Sequence, residues 1–142
     1  MITYPLVVAQ YDLKGHKSLY EHWSLAALQT KKKSYIFELV GNLDNFAYEA
    51  STNADFSGAH SLCGGCLVGN IDPGQIEWVK AKLQEVRVWV IEALRLLKES
   101  AHPGVEITLV TERVTRKELK DEKERWDLGK DTLEDRLFDP DN

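Results

Sequence analysis

Only two cysteines, Cys63 and Cys66, occur in the 142 residues, so a disulfide-stapled framework is excluded. A surplus of positive charge is missing too. The formal net charge is −5, and the one basic cluster, Lys31-Lys32-Lys33, is too short to reverse it. That balance disfavours nucleic acid and anionic membranes as partners. No run approaches the ~18 apolar residues that a membrane-spanning helix needs. The opening Met1-Ile2-Thr3-Tyr4-Pro5 lacks the charged and long apolar stretches of a signal peptide. Cytoplasmic residence is therefore the default expectation. Internal repeats are absent as well.

What is present is ordinary globular material, 43% apolar and 29% charged. A chain of this length buries roughly 70% of its unfolded surface, enough for one core without staples. Residues 1–130 are read as a single domain and 131–142 as an acidic, frayed C-terminal tail.

The first half has the pattern of strands. Leu6-Val7-Val8-Ala9 is an apolar run, and a second runs from Trp23 to Leu28. Tyr35 to Val40 alternates, Phe46, Tyr48 and Ala50 share one face of a further strand, and the lysine cluster forms a solvated hairpin tip between the second and third strands. Leu62 to Ile71 holds Gly64, Gly65 and Gly69, which marks either an irregular strand or a tight passage of backbone.

The second half turns helical. Asp72-Pro73 is a start signal, with aspartate as the cap and proline at the first helical position. Ile76, Val79, Leu83, Val86, Val90, Ala93 and Leu97 follow at alternating spacings of three and four, an apolar stripe at helical period. Ala101-His102-Pro103-Gly104 ends it. Unbroken, this helix would be ~40 Å long at 1.5 Å per residue. Two helices with a break near Glu85 to Arg87 fit equally well. Val105 to Val110 reads as a strand, and Thr115 to Arg125 as a solvated helix of mixed charge. The fold class is α+β, an antiparallel sheet packed against a central amphipathic helix.

Among the four histidines His22 stands out, because it opens a strand between Glu21 and Trp23. Glu38 lies on the partner strand of the hairpin. A carboxylate within reach of an imidazole fixes its tautomer and raises its pKa, which is the usual device for a general base. The plainer alternative is a half-buried edge histidine and a solvated glutamate. Cys63-Gly64-Gly65-Cys66 has the spacing of a redox or metal pair. It supplies two ligands where structural zinc wants four, and His60 or His22 could complete the set with no spacing rule behind them. Two small buried thiols are the simpler account. Trp78 and Trp89 are read as core.

The segment Tyr20-Glu21-His22-Trp23-Ser24-Leu25, followed by Ser34-Tyr35-Ile36-Phe37-Glu38-Leu39-Val40-Gly41, resembles the opening hairpin of the circularly permuted papain-like proteins. The likeness is to the lecithin:retinol acyltransferase and H-Ras-suppressor-like group, and more closely to a small fungal family. It covers roughly residues 18 to 100. It implies a permuted papain-like fold with His22 as base and Glu38 as its orienter. It also implies a cleft lined by Trp23, Val86 and Trp89. The position of the family's cysteine falls on Val86 or, less well, on Gln75, and neither can attack a carbonyl. The expected function is then an enzyme that acts on a small molecule through a His22/Glu38 acid–base pair, catalysing proton transfer, elimination or cyclisation. Neither cofactor nor metal is called for. An inert binding protein on the same fold, and a thiol hydrolase or acyltransferase using Cys63 or Cys66, are the alternatives. A small-molecule ligand is the expected partner, and a homodimer is left open.

Overall fold

The computed structural model describes residues 3–11, 22–30, 33–42, 45–54, 62–85, 90–108 and 111–138. Five strands come first: β1 (Tyr4–Tyr11), β2 (His22–Leu28), β3 (Ser34–Asn42), β4 (Asn45–Ala54) and β5 (Leu62–Ile71). After them come α1 (Ile76–Lys82), α2 (Ile91–Ser100), β6 (Val105–Ile107), α3 (Glu112–Asp127) and α4 (Leu133–Leu137). The strands make one sheet in the order β4-β3-β2-β1-β5-β6, with every neighbour antiparallel. The expected α+β class and antiparallel sheet are therefore present.

Continuous apolar runs, rather than alternating ones, show that both faces of this sheet are covered. Leu6, Val8, Leu25 and Ala27 join a first cluster with Phe37, Cys66, Val68 and the helices α1 and α2. Val7, Ala9, Ala26 and Leu28 form a second cluster with Ile36, Leu133, Leu137 and Phe138. The ladder explains the split. Leu6 pairs with Ala27 and Val8 with Leu25, while Val7 pairs with Ala26, so each face receives matched residues.

The helical stripe is carried by two helices. Asp72 accepts a hydrogen bond from the Gly74 N–H at 2.8 Å and Pro73 follows it, as the start signal requires. Short 3₁₀ turns at Pro73–Gln75 and Leu83–Glu85 bracket α1, which ends at Lys82. Ile76, Val79, Leu83, Val90, Ala93 and Leu97 are all buried in the first cluster, and Val86 lies outside the described residues. Ala101, with φ of 48°, closes α2 in the left-handed region.

Two readings change for the C-terminal third. The mixed-charge helix α3 is not solvated all round, because Thr115, Leu119 and Glu122 are buried along one stripe. The segment read as frayed forms α4 and packs Leu133, Leu137 and Phe138 against the second face. Its acidic composition concealed three apolar residues at positions 133, 137 and 138. Among the described residues no helix is long and apolar enough to cross a membrane.

Candidate functional site

The hairpin that was expected to carry the site is formed. Its tip is closed by the Gln29 and Thr30 N–H groups, both donating to the Lys33 carbonyl at 3.0 Å. The Thr30 hydroxyl accepts from the Lys33 N–H at 3.0 Å. From this tip the register runs Leu28↔Ser34, Ala27↔Tyr35, Ala26↔Ile36 and Leu25↔Phe37. His22 pairs through its backbone with Tyr11 of β1, and Glu38 stands opposite Glu49 of β4. The side chains of His22, Trp23 and Glu38 lie outside the described residues, and so do Val86 and Trp89 entirely. The structure thus brings the backbones of residues 22 and 38 to the same end of one hairpin.

The cysteine pair is described in one half. Cys66 is 3% exposed and packs in the first cluster, while the Cys63 side chain lies outside the described residues. Burial pushes the Cys66 thiol up to about 12, helped by the carboxylates of Glu118 and Glu122 and opposed by a hydrogen bond with Thr115. A thiol held there is protonated at neutral pH and is a poor nucleophile. Among the described residues no group of three or more histidine, cysteine, aspartate or glutamate side chains is placed to hold a metal.

Sequence reasoning missed the carboxyl beside it. Glu122 of α3 is 3% exposed. Its Oε1 accepts the Leu133 N–H at 2.5 Å and, at a longer 3.4 Å, the Gly65 N–H of β5. Its Oε2 faces an Arg136 guanidinium nitrogen at 3.3 Å. Burial raises its pKa, and the bonds from Leu133, Arg136 and Gly65 only partly offset that. The glycine-rich stretch was the available signal. A Cβ on Gly64, which sits at φ +128°, would meet Glu122 Oε1 at 3.0 Å. All three partners are intramolecular, so this carboxyl acts as a tie between β5, α3 and α4.

A second polar group lies where α1 meets the turn after α2. Trp78 packs against the first cluster, as expected of a core residue, and its ring stacks on His102 with centroids 3.8 Å apart and planes 7° from parallel. His102 Nε2 lies 2.6 Å from Gln75 Oε1. The Asp72 N–H donates to the Gly104 carbonyl at 2.6 Å, holding the turn down on the helix start. His102 had been read only as part of a helix stop. No protein family, curated protein or solved structure matches the chain.

Proposed function

We propose that the chain acts on a small molecule through an acid–base pair formed by His22 and Glu38. The observation that carries the reading is the register of the β2–β3 hairpin. Ala26 and Ile36 are ladder partners and both belong to the second cluster. Side chains alternate with a period of two along a strand. Counting from Ala26 reaches position 22, and counting from Ile36 reaches position 38, so the two positions belong to one face. Glu49 stands directly opposite Glu38. Like charges at opposite positions cost a sheet stability, so a plain scaffold gains nothing from glutamate at both.

In this reading His22 takes a proton from the substrate, and Glu38 fixes its tautomer and steadies the imidazolium that results. No covalent intermediate is formed. The helix that follows Trp89 packs with the first cluster. The alternation therefore lends no support to a cleft shared with Val86 and Trp89, and the pair is proposed without them. An NMR titration of the His22 ring, assigned by His22→Gln, tests the pairing without a known substrate. The midpoint should lie above ~6.5 in the native protein and fall in Glu38→Gln. Identical titration curves in the two proteins would dismiss the pair and leave a binding protein as the better reading.

A further inference from the structure

We propose that the junction between α1 and α2 is a sprung hinge, through which two copies of this chain exchange their C-terminal halves. With Val90 released, residues 76–100 run as one helix, and each copy lays its α2, β6, α3 and α4 on the sheet of the other. The inference is independent of the His22/Glu38 reading.

Three observations at the junction carry it. Val90 adopts φ 58° and ψ −57°, close to a γ-turn form that is rare and strained. A β-branched residue at positive φ is an outlier, and such conformations persist only where the surroundings over-determine them. The surroundings here are the first cluster, in which Val90 is 2% exposed. Secondly, neither helix end at the junction carries the signal of a true terminus. Val90 stands at the N-cap position of α2, where its side chain accepts no hydrogen bond. Helix α1 tightens into the 3₁₀ turn Leu83–Glu85, a feature that marks hinges within helices. Thirdly, the sequence is written for a single helix. From Ile76 to His102 there is neither proline nor glycine, and the stripe from Ile76 to Leu97 keeps its spacing of three and four across the junction. Two helices meeting at an angle need no common register. One unbroken helix does, and it would be ~37 Å long at 1.5 Å per residue.

Packing identifies the second copy as the partner. Ile76, Val79 and Leu83 on one side of the junction, and Val90, Ala93 and Leu97 on the other, lie in one cluster. Straightening the junction lifts one set away and bares the surface beneath. The element that fits this surface is the same element of another copy, carried there by its own straightened helix. The pairing of β6 with Gly69–Ile71 and the packing of α3 on β5 can form between copies as well as within one. Contacts are remade everywhere except at the hinge. Strain relieved at two hinges is therefore set against the freedom lost on association.

Refolding of the full chain at high and at low concentration, read by gel filtration with light scattering, tests the exchange. A dimer should form at high concentration, persist on dilution, and return to monomer only after partial unfolding in urea. Val90→Ala and Val90→Gly both remove the two buried methyl groups and so share most of the lost packing. Alanine keeps the strain and favours a helix, whereas glycine accepts the positive φ and disfavours a helix. At about tenfold per hinge, the dimerisation constant of Val90→Ala should exceed that of Val90→Gly by about 100-fold. In the monomer, Val90→Gly should have the higher urea midpoint, the reverse of the order inside a helix. A native chain that is monomeric at every refolding concentration would overturn the proposal. So would a dimer that dissociates at once on dilution, or one indifferent between the two variants. An ordinary surface contact has no reason to feel a residue that is 2% exposed.

Discussion

A chain carrying Cys63→Ser, treated at about pH 8 with a chromogenic aromatic disulfide, should leave Cys66 unmodified long after an ordinary thiol would have reacted. The size of the effect follows from the burial of that side chain. With the thiol pushed from 9.0 to about 12, the thiolate fraction at pH 8 falls from about one in ten to about one in ten thousand, roughly 1000-fold. A more basic thiolate is also a better nucleophile, and a Brønsted slope of about 0.4–0.5 returns some 15- to 30-fold. The net slowing is therefore about 30-fold or more before access is counted, and Cys66 is only 3% exposed. The same chain in guanidinium supplies the reference rate. Equal rates for folded and unfolded chains would refute the argument and reopen Cys66 as a nucleophile. The linkage runs in a matching direction. The folded state holds the thiol proton more tightly than the unfolded state does. The contribution to stability is then fully present below pH 9 and is lost as the pH rises toward 12, at about 1.4 kcal/mol per unit.

Three further outcomes are expected. Gly69→Ala places a Cβ against the Glu106 carbonyl oxygen, where Gly69 pairs with Ile107; it should cost about 1–3 kcal/mol, read as a lowered urea midpoint. His102→Ala removes both the ring stacked on Trp78 and the partner of Gln75; a loss of about 1–2 kcal/mol with a change in tryptophan emission is expected, and an unchanged midpoint would count against the stack. Burial holds the Glu122 carboxyl above its ordinary 4.5, with Arg136 of α4 opposing from one side. The folded state then binds this proton more tightly, and the stabilisation present below 4.5 is lost as the pH rises through the raised value. Glu122→Gln should flatten that part of the pH–stability curve, and parallel curves for the two proteins would reject the assignment.

The strands were legible because apolar runs bounded by polar or glycine-rich stretches leave few other choices. Leu6–Ala9, Trp23–Leu28 and Tyr35–Val40 all fall within strands of the sheet. Asp72-Pro73 fixed the start of the helical half, and the left-handed Ala101 ended α2 where the sequence placed a stop. Other features depend on contacts far apart in the chain. Nothing in Glu122 itself separates it from the ten or more charged residues around it; what buries it is β5, 57 positions away in the case of Gly65. The apolar stripe also spans two helices, α1 ending at Lys82 and α2 beginning at Ile91, with no proline or glycine between them to mark the change. For the His22/Glu38 pair the sequence supplied residue types and the hairpin supplied register.

One carboxyl answers two needs that this topology creates. β6 pairs only with Gly69–Ile71, so among the described residues the first half of β5 has no strand on that side. An open strand edge is a template for unwanted pairing, and covering it with a helix is one remedy. Helix α3 lies along β5 and brings Glu122 to the Gly65 N–H, a donor that a longer β6 would have satisfied. The second need arises from the four-residue apolar runs of β1 and β2. Half of each run must face away from α1 and α2, and some further segment has to shield it from water. Helix α4 does so, and its first N–H groups would be orphaned at the edge of the core without an acceptor. Glu122 Oε1 accepts from Leu133 as well as from Gly65. The same atom therefore protects the sheet edge and holds down the cover of the second face. Gly64 and Gly65 let the backbone approach closely enough for that, since a Cβ on Gly64 would crowd the carboxyl. A carboxyl in this position stays buried because of the partners it serves, at the expense of its own hydration. Loss of its oxygen should consequently be felt at both Gly65 and Leu133, whereas loss of its charge alone should not.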